Sequence, residues 1–320
     1  MQSPNHHPFL DQPRFADMSQ GVLELERWIT DLLRQGLVFL AERSPDYWEF
    51  ISKRMVDLKL PGLARGIVRI QQMVASSAEI PFEEILQEIA NLGLLLKSFH
   101  QIHQLSPDLQ REILLQMGWN VRKEELEPLP TVSDHWLVIG RSVGEEDKLR
   151  YRKTWYWPYH TSRPAMLLEF VWGNQPFPPA KETGQILDAT MTFYPGSFPF
   201  RVQLNEVKTS HLLQFKPQFG DSEIAAFLSR YTRAGTRNPW LIDFPVVLNQ
   251  VLPLYCNGEF FLVDQQKNTL RLNIPDKYAW RLLALASGNP VSVFGEWDGQ
   301  QFSPLTLINA NGCLQLDLSS

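Results

Sequence analysis

The sequence predicts an α+β protein: an N-terminal all-helical module followed by an antiparallel-sheet-rich α+β module. Two changes along the chain predict it. Apolar residues recur at helical spacing up to about residue 127, and beyond the Pro128-Leu129-Pro130 joint they give way to short apolar and aromatic runs separated by turn signals. Eight of the ten Trp also lie beyond residue 118, on the sheet-rich side. The expected organisation is a flexible leader at 1-18, a helical module at 19-130, and an α+β module with antiparallel sheet at 131-320.

Residues 1-18 are rich in Pro, Asn, Gln and His without apolar periodicity, so they read as a leader in which His6 and His7 are solvated. From Val22 the pattern is helical, with Val22, Leu25, Ile29, Leu32, Leu33 and Leu37 on one face. Ser44-Pro45-Asp46 supplies an N-cap and a first-turn Pro for a second helix, through Trp48 and Ile51 to about Leu58. Pro61 restarts the chain, and Leu63, Ile67, Ile70 and Val74 mark a third helix. Pro81 opens a fourth and Ser106-Pro107-Asp108 a fifth.

Past the joint, HWLVIG, LRYRKTWYW, AMLLEFVW and ILDATMTFY read as strands. A helix is expected over 221-234, capped by Asp221 or Ser222 and stopped by Gly235, and a short one near 276-286. Further strands are expected around 258-264, 270-274, 291-297, 302-309 and 313-318. Asp298-Gly299 and Asn311-Gly312 are hairpin signals, because type I′ turns need positive φ at both central positions.

A chain of 320 residues with 44% hydrophobic and 20% charged residues is an ordinary globular composition, which excludes disorder throughout. The net charge of -5 provides no global basic field for nucleic acid or an anionic membrane. Residues 1-133 carry 13 Lys+Arg against 18 Asp+Glu, leaving 17 against 17 beyond, so the acidity belongs to the helical module. Cys256 and Cys313 are far apart and form no CxC or CxxC, so neither a disulfide framework nor a cysteine zinc site is encoded, and a reducing cytoplasm is expected. The N-terminus lacks a basic region followed by an apolar core, and no apolar run approaches the ~20 residues of a membrane helix. A soluble, unsecreted protein without membrane contact is expected.

Motifs for chemistry are missing. The sequence contains no GxxxxGK[ST], GxGxxG or HExxH, and no catalytic residue, cofactor or metal is predicted. His100 and His103 fall three apart on a helix, a spacing that suits a shared metal, but no carboxylate lies within a turn to complete the shell. They read as a helix end, where the dipole favours His. In TWYWPYH, Trp155, Trp157 and Tyr159 alternate onto one strand face, as either a core ladder or a surface that stacks bases or grips a peptide. Core packing is the preferred reading.

The stretch RMVDLKLPGLAR at 54-65 places an Asp and two Arg around a Pro-Gly turn between two helices. Lys53, Arg54, Lys59, Arg65 and Arg69 against Asp57 give a local net of +4 in a helix-turn-helix-like outline. One reading makes Arg54, Lys59, Arg65 and Arg69 nucleic-acid contacts. The other is a structural elbow of Arg54, Asp57, Pro61, Gly62 and Arg65, where Asp57 satisfies the next helix's N–H groups or pairs with Arg54 or Arg65, Pro61 opens that helix, and Gly62 permits close packing. The interleaved Met55, Val56, Leu58, Leu60, Leu63 and Ile67 must be buried, which favours the elbow.

The segments GVLELERWITDLLRQGL (21-37), KRMVDLKLPGLARGI (53-67), HWLVIGRSVGEEDKLRYRKTWYW (135-157), SRPAMLLEFVWG (162-173), FYPGSFPFRV (193-202), NPWLIDFPVVL (238-248) and VFGEWDGQQFSPLTL (293-307) resemble bacterial SWIM zinc finger family proteins, in order. The CxC…CxH zinc ligands of a SWIM finger are absent, so the resemblance covers the region after the finger, as a fragment or a finger-less relative, and the finger's role passes to no residue here. The resemblance implies a non-enzymatic adaptor whose partner is a MoxR-type AAA+ ATPase or a von Willebrand A domain protein, beside which family members occur. A nucleic-acid-binding module and an enzyme with an unrecognised site are the competing readings.

Overall fold

The computed structural model describes residues 12–76, 80–146, 149–212, 219–309 and 312–316. Its contacts divide the chain into two units, residues 1–123 with 195–197 and residues 124–194 with 198–320. The expected joint at Pro128-Pro130 lies just inside the second unit.

Among the described residues the first unit holds five α-helices: α1 (Pro13–Gln35), α2 (Pro45–Asp57), α3 (Pro61–Ser76), α4 (Phe82–His100) and α5 (Pro107–Gln116). Residues 13–18, expected within a flexible leader, form the first turns of α1, and Met18 is fully buried. Pro13 occupies an early helical position, where its missing N–H costs nothing. The rest of the leader, with His6 and His7, lies outside the described residues. Along α1, Met18, Val22, Leu25, Ile29 and Leu32 are buried, a period that lines one face. Leu33, expected on that face, is exposed.

Ser44 caps α2 by accepting from the Tyr47 N–H, and Trp48, Ile51 and Met55 form its buried stripe. Its end is closed by two reversed hydrogen bonds, Leu60 N–H to Met55 O at 2.8 Å and Lys59 N–H to Val56 O at 3.0 Å. This is a Schellman closure, which requires a left-handed residue, and here Lys59 takes it at φ 65°. Buried Leu60 and Met55 lie at the two positions whose apolar contact accompanies such a closure.

The second unit begins with a barrel of β1 (Thr131–Glu146), β2 (Leu149–Pro158), β3 (Ala165–Trp172), β4 (Gln185–Phe193) and β5 (Arg201–Leu212), in the order β1-β2-β3-β5-β4. β1 pairs antiparallel with both β2 and β4, and β3 closes on β5 through a parallel contact. Trp136, Val138, Tyr156, Leu187 and Met191 fill its interior, where the Trp136 indole N–H donates to Ala189 O at 3.1 Å.

The chain continues through α6 (Ile224–Gly235), β6 (Phe244–Cys256), β7 (Glu259–Val263), β8 (Thr269–Arg271), α7 (Asp276–Ala286), β9 (Val291–Trp297), β10 (Phe302–Asn309) and β11 (Gly312–Gln315). These strands form an antiparallel sheet in the order β11-β10-β9-β6-β7-β8. One face packs on α6 and α7 through Phe227, Ala279, Leu282, Val293 and Trp297. The other packs on the barrel through Phe294, Leu305 and Ile308. Gly140 of β1 permits that approach, since a Cβ there would come within 2.8 Å of the Phe294 ring.

Three local expectations are corrected. Helix α6 starts at Ile224 without a side-chain cap from Asp221 or Ser222. Instead Asp221 pairs with Arg230, and the Asp264 carboxylate, in the turn after β7, accepts the Ile224 N–H at 2.9 Å. Asp298-Gly299 forms part of a longer loop, because Trp297 pairs with Phe302 and the Asp298 carboxylate accepts the N–H groups of Gln300 and Gln301. At the other signal Asn311 lies outside the described residues, and the register pairs Asn309 with Gly312.

Candidate interaction surface

At the α2–α3 junction the charges are satisfied across helices. Arg54 donates from Nε to Glu24 Oε2 at 2.8 Å and from Nη2 to Glu24 Oε1 at 2.7 Å, tying α2 to α1. The hydrogen bond from Arg54, the largest influence, holds the Glu24 carboxyl down at about 2. Arg69 is exposed but donates to Glu88 Oε1 and ties α3 to α4. Asp57 is exposed, and its carboxylate acts on Arg54 only through its charge, not through a hydrogen bond, among the described residues. The expected Asp57 network is therefore replaced by Glu24, thirty positions upstream of Arg54, a partner no local spacing could reveal. Lys59 and Arg65 are exposed.

Pro61 and Gly62 meet the end of α5. The Gly62 N–H donates to Met117 O at 3.0 Å, and a Cβ on Gly62 would come within 1.9 Å of Gln116 O. Any larger residue would push the two helices apart. Of the four candidate nucleic-acid contacts, Arg54 and Arg69 are thus already engaged by carboxylates, which leaves less charge to track a phosphate backbone.

The two helical histidines serve different contacts. His100 Nε2 lies 3.2 Å from Glu26 Oε2 of α1, whereas His103 meets the Phe15 ring edge-on with centroids 5.8 Å apart. The side chains that do approach within metal-ligand reach are Asp134, His135 and His160, with ligand atoms within 4.8 Å of one another. Asp134, however, is a buried turn clamp. Its two oxygens accept the backbone N–H groups of His135, Tyr159, His160 and Thr161. Burial alone would push its carboxyl up, but these donors outweigh it and hold it below its ordinary range. With its lone pairs committed, Asp134 is a poor metal ligand.

Trp155 and Trp157 are buried between barrel and sheet, where Trp155 meets Phe294 edge-on and Trp157 stacks on Phe219. Tyr159, the third of the alternating aromatics, is 39% exposed. A buried ionic group lies beside them. The Trp155 indole N–H donates to Glu296 Oε1 at 2.6 Å, and Lys153 Nζ lies 2.6 Å from Asp243 Oδ2 and 3.6 Å from Glu296 Oε2. Burial, the largest influence, holds the Glu296 carboxyl above its ordinary range against the pull of Lys153. The residues bind strand β2 to β9 and the start of β6, which is a structural task.

Exposed apolar side chains mark the remaining surface. In the first unit Val38 is 65% exposed, on the 3-10 turn after α1, and Phe50 is 72% exposed on α2. In the second, Phe170 and Trp172 of β3 are 48% and 61% exposed. Sequence reading missed all four, because their periodicity is that of ordinary helix and strand residues. Among the described residues, no helix is long and apolar enough to cross a membrane.

The barrel's strand order and its parallel β3–β5 closure are those of an OB-type Greek-key barrel. Such barrels take oligonucleotides or oligosaccharides on the β2–β3 face, but here the second sheet covers that face at Trp155 and Trp157. The class is therefore a helical bundle joined in one chain to an OB-type barrel backed by an antiparallel sheet. Residues 13–117 match the family model of the SWIM-associated four-helix bundle domain, consistent with a region that follows the zinc finger. No curated protein and no solved structure matches the chain.

Proposed function

We propose that the protein is a non-enzymatic binding component, a cytoplasmic adaptor for a MoxR-type AAA+ ATPase or a von Willebrand A domain protein. The observation that carries the binding role is the contrast between neutralised cations and bare apolar side chains. Arg54 and Arg69 are held by Glu24 and Glu88, while Val38, Phe50, Phe170 and Trp172 face solvent. Aromatic anchors such as Phe50, Phe170 and Trp172 supply the buried centre of protein interfaces. The choice of partner rests on the resemblance to SWIM zinc finger proteins, supported by the match over residues 13–117.

The test mixes the purified chain with its genomically neighbouring ATPase and von Willebrand A protein, with and without ATP, and follows co-elution and ATPase rate. Co-elution with either is expected. Failure to bind both in every nucleotide state, with all proteins folded, overturns the reading.

A further inference from the structure

The edges of the sheet-rich unit are not alike. Strand β8 spans only Thr269–Arg271, too short to template another chain. Strand β11 is fastened by Gln315, whose amide accepts the Arg141 N–H at 3.1 Å and donates to Arg141 O at 2.7 Å. Strand β3 has neither protection. It pairs with β2 along its whole length, from Ala165 to Trp172, but with β5 only at Met166–Arg201 and Leu167–Val202.

The direction of its free groups follows from one hydrogen bond. The Met166 N–H points to the β5 side, where it donates to Phe200 O at 2.8 Å. Backbone groups alternate along a strand, so Phe170 turns its N–H and C=O to the same side, and Trp172 its N–H. Beyond Leu167 no strand pairs there among the described residues. The side chains at the same positions, Phe170 and Trp172, project from one face and are exposed.

We propose that the β3 edge from Leu168 to Trp172 receives an extended segment of a partner protein, added as a further strand, with apolar residues at alternate positions beside Phe170 and Trp172. The proposal rests on the binding role above and names its site. Backbone hydrogen bonds would supply affinity and the two aromatics specificity. Nucleic acid fits the edge less well, because two of the three cations of β2 are already held by carboxylates, Lys153 by Asp243 and Arg152 by Glu169 of the edge itself. A second copy of the chain fits less well too. Pairing so short an edge with itself falls well below the roughly 1,200 Å² of a stable association.

The test uses the full chain and a labelled, end-blocked peptide of alternating Thr and Val, alongside the ATPase and von Willebrand A proteins. Phe170→Pro removes the edge N–H without touching the β2 ladder, and Phe170→Thr removes only the ring. The probe is expected to bind wild type, about tenfold more weakly to Phe170→Pro, and less weakened by Phe170→Thr. Methylating the probe's backbone nitrogens tests the same bonds without changing the chain, and is expected to abolish binding. Unchanged binding of the methylated probe, or a wild-type dimer that Phe170→Pro dissolves, overturns the proposal, as does Trp172-dependent binding of oligo-dT in place of the peptide. If the probe binds through Phe170 but neither protein does, the adaptor reading falls and this edge stands. If the proteins bind and Phe170→Pro affects neither them nor the probe, the edge falls and the adaptor reading stands.

Discussion

Arg54 of α2 holds Glu24 of α1 through two hydrogen bonds of 2.8 and 2.7 Å, and this pair joins the first two helices of the bundle. The Glu24 carboxyl is depressed to about 2 from an ordinary 4.5. A depressed carboxylate contributes stability that is present above its unfolded value and lost as pH falls through the folded one. Glu24→Gln is therefore expected to lower the urea midpoint slightly at pH 7, with the difference shrinking below pH ~4.5 and vanishing near pH ~2. The effect is small because both side chains are partly solvated, at 32% and 41% exposure. An equal difference at both pH values would count against the pair.

The Lys59 backbone is left-handed at φ 65°, a conformation that costs a side-chain-bearing residue roughly 1 kcal/mol. Lys59→Gly is expected to stabilise the protein by about 0.5–1 kcal/mol in spite of the added freedom of the unfolded chain. Exposed Asp57 should tolerate Ala within about 0.5 kcal/mol. A destabilised Lys59→Gly would show that its side chain contributes more than its backbone costs.

Asp264 binds the first turn of α6 to the turn after β7, accepting the Ile224 N–H at 2.9 Å and the Asn268 N–H at 2.8 Å. Asp264→Ala leaves the buried Ile224 N–H without an acceptor and is expected to cost about 1–3 kcal/mol, with Asn intermediate. Hydrogen exchange should show the Ile224 amide opening faster in the Ala variant.

Cys256 is exposed, whereas burial pushes the Cys313 thiol up to about 11. At pH 8 a thiol reagent is expected to modify Cys256 quickly and Cys313 slowly. Loss of the fast phase in Cys256→Ser checks the assignment, and its persistence would reverse it.

With Arg54 and Arg69 engaged by Glu24 and Glu88, duplex DNA is expected to bind no tighter than about 10⁻⁶ M at physiological salt, in the non-specific range. Fluorescence anisotropy across a salt series measures this. Tighter binding abolished by Arg65→Glu would restore the basic helix pair as a nucleic-acid site.

The sequence by itself determined the elements whose signals are local. Prolines at 45, 61 and 107 open helices, and apolar spacing such as Val22-Leu25-Ile29-Leu32 marks their buried faces. It also placed the strands marked by apolar and β-branched runs between turn signals, β1 to β4 and β7 to β11. Strands β5 and β6 escaped it. β6 lies at the centre of its sheet, yet carries Pro245 and Pro253 and a break in register between Leu248 and Val251, with Gln250 at φ 55°. Only flanking strands β7 and β9 make such a segment a strand, because their ladders supply the hydrogen bonds its own pattern does not predict. The same holds for the charges. Periodicity reports which face of an element is apolar, but the partner of a buried or bridging charge is chosen by how distant segments come together. Glu24 for Arg54, Asp264 for the α6 terminus and Glu296 for Trp155 were decided by tertiary structure alone, as was the free edge of β3.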